Sequence, residues 1–151
     1  MIRLATRSDL DTIYELVLEF LLHTAYAKHT EAVDHAHIKR LCYAILKTGT
    51  IWLYEHQDVV VGLLIGVREQ NIWMPDKVSF RELVWYVREE YRRTPAAGRL
   101  FIEFCREGER LLLNKDIDGY FTTRMSSTAN YDLEKRGFRE VERLFLRDRE
   151  I

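Results

Sequence analysis

The chain has 151 residues, enough for one ordinary domain that buries its own core without disulfides or metals. Its composition, 47% hydrophobic and 31% charged with two prolines and seven glycines, is globular and excludes a disordered chain. A formal net charge of −1 excludes an overall basic protein built to coat nucleic acid and selects no other partner class.

The chain starts as a strand, Ile2-Arg3-Leu4-Ala5, with no charged-then-apolar leader, and its apolar runs are too short to span a bilayer. Ser8-Asp9-Leu10-Asp11 then has the form of a capping box, with Asp at its fourth position, and predicts a helix. Leu10, Ile13, Leu16, Val17, Phe20 and Leu21 recur at three- and four-residue steps and give that helix one apolar face. A second helix is expected from near Asp34, burying Ile38, Leu41, Cys42, Ile45 and Leu46, and stopping at Gly49 in the left-handed position past a helix end.

Strands Ile51 to His56 and Val59 to Val67 are expected as a hairpin across Gln57-Asp58. Residues 68–79 carry no period, include Pro75 and the exposed-looking Trp73 and Met74, and read as a loop. Phe80 to Val87 reads as a strand, and a long helix runs from about Pro95 to Leu113 with Leu100, Phe101, Phe104, Cys105, Leu111 and Leu112 on one face. A strand from about Ile117 to Thr123, a short helix ending near Arg136 before Gly137, and a last strand from Val141 to Leu146 complete the chain. The order β-α-α-β-β-β-α-β-α-β is that of one mixed α/β domain over residues 1–151, without repeat or linker. Cys42 and Cys105 lack C-x-x-C spacing, fall in apolar helical stripes and read as buried free thiols of a soluble, cytoplasmic protein.

The strand-to-helix crossover from Val87 to Leu100 carries the most chemical information. Thr94 suits an N-cap and Pro95 a first helical residue, so the unpaired amides of the helix start should face the end of the strand. Those amides and the helix dipole favour a phosphate, Arg92 or Arg93 would add charge-assisted bonds, and the small Ala96, Ala97 and Gly98 would let a ligand approach the backbone. The same residues also fit an ordinary capped helix with solvated arginines.

Element order and crossover together resemble the GNAT (Gcn5-related N-acetyltransferase) superfamily over nearly the whole chain. Trp85-Tyr86-Val87, Glu90-Tyr91-Arg92 and Leu100 are similar to the family pattern L-x-V-x-P-x-Y-R-G-x-G-x-G-x-x-L. Arg92 would open the pyrophosphate signature R-x-x-G-x-G/A, with Pro95 and Ala97 at the small-residue positions; Pro95 replaces a glycine and cannot donate an amide. A register one residue later, from Arg93 through Ala96 to Gly98, keeps small residues at both places. Ile2-Arg3 with Ser8-Asp9, Val60-Val61-Gly62-Leu63, and Ala129 with Leu133-Glu134-Lys135-Arg136-Gly137-Phe138 resemble the opening, third-strand and late patterns of the family. The Trp-Tyr-Val, Tyr-Arg-Arg-Thr and Ala-rich combination is more similar to the small members found in phages and prophages than to the glycine-rich mainstream.

The resemblance implies a single-domain GNAT fold: a mixed, twisted sheet whose central strands splay to admit a pantetheine arm. It implies acetyl-CoA as co-substrate and direct transfer to an amine of a small molecule or protein, with dimers common and neither membrane nor nucleic acid as partner. Trp85, Tyr86, Val87, Arg92, Arg93, Thr94, Pro95, Ala96, Ala97, Gly98, Arg99 and Ser126 would hold the cofactor, with the backbone of Val87 or Tyr86 bonding the thioester oxygen. Glu82 would be the general base. Strict alternation sets it on the opposite face from Val87, so the family's bulge in this strand would be needed to bring the two together. An exposed glutamate at a strand start is the competing reading.

In the family a tyrosine four residues before the late glycine reprotonates the thiolate; here that position is Leu133, and Ser126 replaces an asparagine. Tyr131 is the remaining candidate acid, although it would point to another side of the helix from residue 133. These departures also fit a weakened module that binds coenzyme A or a protein. A nucleic-acid-binding run of Arg88, Arg92, Arg93 and Arg99 is interrupted by acidic residues. His35 and His37 lie two apart and cannot share a helical face, so no metal is expected, while His23 and His29 flank the segment that shapes the acceptor site in the family. Trp52, Trp73 and Trp85 read as core or interface.

Overall fold

A computed structural model describes residues 1–124 and 131–149. Among the described residues five strands form one sheet in the order β1 (Ile2–Leu4), β2 (Thr50–His56), β3 (Val59–Gln70), β4 (Val78–Val87) and β5 (Gly119–Phe121). The first four pair antiparallel and β5 pairs parallel to β4, the pairing that a helical crossover permits. Helices α1 (Leu10–Leu21) and α2 (His35–Thr48) cover one face, and α3 (Ala96–Leu113) covers the other.

Two cores result. Ile13 and Leu16 of α1 and Cys42 and Ile45 of α2 pack on Leu53, Leu63, Ile65, Val84 and Tyr86, whereas Leu100, Phe101, Phe104 and Leu111 of α3 pack on Trp52, Tyr54, Leu64, Phe80 and Val87. The alternation along β2 and β3 distributes neighbouring residues to opposite cores. The β2–β3 hairpin turns through Gln57 (φ 49°) and Asp58 (φ 64°), both in the left-handed region that a tight two-residue connection demands.

Several expectations are corrected. The box before α1 lies earlier than Ser8–Asp11: the Thr6 amide donates to the Asp9 carboxylate at 2.7 Å, and Asp9 is buried against Arg3, whose guanidinium grips it at 2.8 Å through two nitrogens. Leu41 stands on the solvent side of α2 at 43% exposure. Gly49 is extended (φ −107°) rather than left-handed; it is small because a Cβ there would lie 2.8 Å from the Gly66 carbonyl oxygen of β3.

The loop expected over 68–79 is shorter, since Arg68, Glu69 and Gln70 pair with Phe80, Ser79 and Val78 and lengthen the hairpin. Its tip is built by Asn71, whose side-chain oxygen accepts from the amides of Trp73 and Met74 at 2.9 Å, leaving Trp73 87% exposed. β5 is only three residues, because the Asp118 carboxylate takes the Val78 amide before it and Thr122 and Thr123 leave the ladder after it.

The short helix before Gly137 is reduced, among the described residues, to one turn at Glu134–Arg136. The Asp132 carboxylate accepts the Lys135 amide there, and Gly137 ends the turn left-handed (φ 87°). The strand expected from Val141 to Leu146 is absent. Leu144, Phe145 and Leu146 are consecutive, so no pleated face buries them together, and β5 offers only a three-residue edge; Leu144 is 92% exposed.

The Arg3–Asp9 pair generates a test. The guanidinium hydrogen bonds hold the Asp9 carboxyl well below the usual carboxylate range, so its contribution is fully present above the unfolded pKa and lost as pH falls towards the folded one. Asp9→Asn should cost about 2 kcal/mol at pH 7. Urea denaturation of both proteins should show that difference shrinking on acidification from pH 5 to pH 2.

Candidate active site at the parted strands

β4 and β5 run together only over Ser79–Arg81 and Gly119–Phe121, after which β5 ends and β4 continues for six residues. From Glu82 onward β4 is bonded on one side only, to β3. Which backbone groups face the gap follows from the ladder. The Arg88 amide donates to the Val61 carbonyl of β3 at 2.9 Å, so alternation turns Tyr86 towards β3 and turns Val87 and Trp85 outward to the gap. Of the two donors expected from sequence, Val87 presents its N–H to the gap and Tyr86 does not. The Trp85 amide is an outward donor that pattern reading had not singled out as one; the clue needed was the register, which sequence does not carry.

A bulge sits in β4. Ile65 pairs with Val84 and Gly66 with Glu82, leaving Leu83 as the extra residue. Before the bulge Val78 and Phe80 pack on the α3 side; after it Trp85 and Val87 do, while Val84 and Tyr86 pack on the α1–α2 side. Glu82, in phase with Phe80, therefore shares the face of Trp85 and Val87. It is 7% exposed and accepts from the Thr123 amide at 3.0 Å and the Thr122 hydroxyl at 3.3 Å, which removes the reading of a solvated glutamate. Burial raises its pKa above the usual glutamate value, against the opposing pull of these two hydrogen bonds.

At the other end of the gap lies the start of α3. Thr94 accepts the Ala96 amide at 3.3 Å while donating to the Tyr91 carbonyl, and Pro95, expected as the first helical residue, takes the N-cap position expected of Thr94, so the helix starts one residue later. The small residues are used internally. Ala96 is fully buried, and the Ala97 carbonyl accepts the Trp85 indole at 3.2 Å. A Cβ on Gly98 would meet the Tyr131 hydroxyl at 2.5 Å. Tyr131 also contacts the rings of Trp85 and Phe101 edge-on at 5.1 and 5.6 Å, so its hydroxyl lies at the first turn of α3.

Arg92 turns back on β4, its Nε donating to the Val87 carbonyl at 3.0 Å and its guanidinium lying 5.7 Å from the centre of the Tyr86 ring. Arg93 and Arg99 are exposed and make no ion pair among the described residues. Ser126 and Ala129 lie outside the described residues.

The predicted site residues thus form three groups: Glu82 with Thr122 and Thr123; Trp85 with Ala97, Gly98 and Tyr131; and Tyr86 and Val87 with Arg92. Beside the third group an open depression of about 490 Å³ is lined by Glu19, His23, Tyr86, Arg88, Glu89 and Glu90. Glu19 of α1 accepts from Arg88 at 2.9 Å and from the Tyr86 hydroxyl at 3.1 Å, tying the end of β4 to α1. His23 is part of this wall, whereas His29 sits 3.8 Å from Asp148 in the C-terminal segment. No cluster of three or more metal-ligating side chains occurs among the described residues.

No protein-family model and no curated protein matches the sequence. Solved structures do. A "possible acetyltransferase" of Clostridium difficile 630 superposes with a TM-score of 0.71 at 21% identity over 100% of this chain and 97% of that one. A GNAT family acetyltransferase of Staphylococcus aureus matches with a TM-score of 0.63 at 14% identity, over 98% of this chain and 97% of its own. An acetyltransferase of Clostridium acetobutylicum, solved with acetyl-CoA, matches with a TM-score of 0.67 at 11% identity, over 98% and 95%. At these identities the likeness establishes architecture: the chain has the fold of the GNAT acetyltransferases.

The raised pKa of Glu82 has a stability signature. A carboxyl whose folded pKa lies above its unfolded value destabilises the fold progressively as pH rises from the unfolded pKa through the folded one. Glu82→Gln removes that loss, so the thermal midpoint of the variant minus that of the parent should be larger at pH 8 than at pH 4. A pH-independent difference in calorimetry would mean that burial does not raise the Glu82 pKa.

Proposed function

We propose that the protein is an acyl-CoA-dependent N-acetyltransferase acting on a primary amine, with acetyl-CoA as its co-substrate. One observation carries the reading: β4 parts from β5 immediately before a buried glutamate, and the amides of Trp85 and Val87 face the opening. The pantetheine arm would enter beside these amides as a substitute strand, bonding the outward edge of β4. The pyrophosphate would lie over the first turn of α3, with the amides of Ala97 and Gly98 and the side chains of Arg93 and Arg99 as its donors.

The chemistry follows from this placement. Trp85 lies three residues beyond Glu82 and Val87 five, roughly 10 and 16 Å along a strand, so the Trp85 amide is the nearer donor for the thioester oxygen. A single such donor contributes on the order of a hundredfold to a thousandfold in rate. The neutral amine attacks the thioester carbon, the new N–C bond forms as C–S breaks, and the ammonium proton passes to Glu82 through water. Burial raises the basicity of Glu82 and suits it to that task. The departing thiolate takes a proton from Tyr131 or from water. The acceptor would approach from the α1–α2 side, where Glu19, His23, Tyr86, Glu89 and Glu90 line the depression. The free thiols Cys42 and Cys105 fit a reducing cytosol, and no helix among the described residues is long and apolar enough to cross a membrane.

A second reading, a coenzyme A-binding module with weak turnover, is favoured by two features: Leu133 carries no hydroxyl, and Pro95 removes an amide from the helix start. Thiol release from acetyl-CoA against a panel of primary amines separates the two. Glu82→Gln should lower kcat by about a hundredfold to ten-thousandfold while coenzyme A binding, measured by calorimetry, is retained. A folded protein that binds no coenzyme A would remove both readings.

A further inference from the structure

We propose that Arg92 is a positioning residue for the free edge of β4 and not a ligand of the pyrophosphate. The proposal rests on the reading of the gap as a pantetheine site. Pattern reading placed Arg92 on the phosphates because it opens the R-x-x-G-x-G/A-like stretch. Its contacts lie elsewhere.

Val87 is 5% exposed and, being turned away from β3, directs its carbonyl as well as its N–H into the gap. In a continued parallel ladder β5 would satisfy that carbonyl; here β5 has ended at Phe121. A buried carbonyl without a partner is costly, and the Arg92 Nε supplies the missing donor at 3.0 Å. Two further contacts fix the guanidinium on the α1 side of the strand end. It lies over the Tyr86 ring, and its Nη2 is 3.3 Å from the His23 Nε2. Arginine has no acceptor, so in this contact the guanidinium donates and the His23 Nε2 accepts.

The consequence is a division of labour between adjacent arginines. Arg92 replaces a strand hydrogen bond at the Val87 carbonyl and so fixes the end of β4, holding in place the preceding peptide unit, whose Val87 N–H faces the arm of the ligand. Arg93, exposed and without an ion pair among the described residues, is left to meet phosphate.

Two probes separate these roles: coenzyme A, which carries the phosphates, and pantetheine, which does not. Arg92→Gln should weaken binding of both by the same factor, about tenfold, and Arg92→Lys, which keeps a donor and a charge, should recover most of the loss. Arg93→Gln should weaken coenzyme A several-fold and leave pantetheine unchanged. In the unliganded protein the carbonyl carbon-13 resonance of Val87 should move in Arg92→Gln. Loss of coenzyme A binding alone in Arg92→Gln, or an unmoved Val87 resonance, overturns the proposal while leaving the acetyltransferase reading intact. Parent protein that binds neither probe overturns both, since there is then no arm to position.

Discussion

The structure depends on the point at which two parallel strands stop sharing hydrogen bonds. A ladder that continued past Arg81 and Phe121 would consume the outward amides of Trp85 and Val87 and leave no opening. It stops there because the next two residues of the chain are engaged by a buried carboxylate. Thr122 and Thr123 turn to donate to Glu82, and a carboxylate at 7% exposure needs those donors more than the sheet needs another pair of rungs. The candidate base therefore also helps to hold the strands apart.

The bulge at Leu83 is the second half of the same arrangement. Without it Glu82 would face α1 and α2 with Val84 and Tyr86, and the gap would have an apolar wall. One extra residue rotates the strand so that carboxylate and outward-facing amides lie on one side, while Tyr86 reaches back to Glu19 and anchors the strand end. Polar groups without strand partners then line a short stretch of β4.

Much of this was legible from sequence because it rests on local chemistry. Apolar spacing placed three helices, Gln57-Asp58 placed the hairpin, and the resemblance at the crossover pointed to a gap beside Phe80 to Val87. What sequence could not carry was set by partners remote along the chain. Asp9 looked like the second residue of a cap opened by Ser8 but closes one opened by Thr6 while it also binds Arg3; Gly49 looked like a left-handed stop but makes room for the backbone of β3. Gly98 has a second reason to be small, the Tyr131 hydroxyl beside it, and Arg92 was read from its motif while its contacts here are to Val87 and His23. At the C-terminal end Val141 to Leu146 has strand composition but not strand alternation, and composition alone did not find it a partner.

The three tryptophans occupy sharply different surroundings. Trp52 is sealed in the core, Trp73 stands in water at the hairpin tip, and Trp85 bridges the mouth of the gap with its indole bonded to the Ala97 carbonyl and its ring 4.7 Å from that of Phe101. Of the three, Trp85 is the one whose polar contact ties β4 to the first turn of α3, so a guest beside that end of β4 would alter its surroundings first. Trp85 would therefore serve as an optical gauge of such a guest, and replacing Trp73 with phenylalanine would remove a water-exposed emitter remote from the cleft.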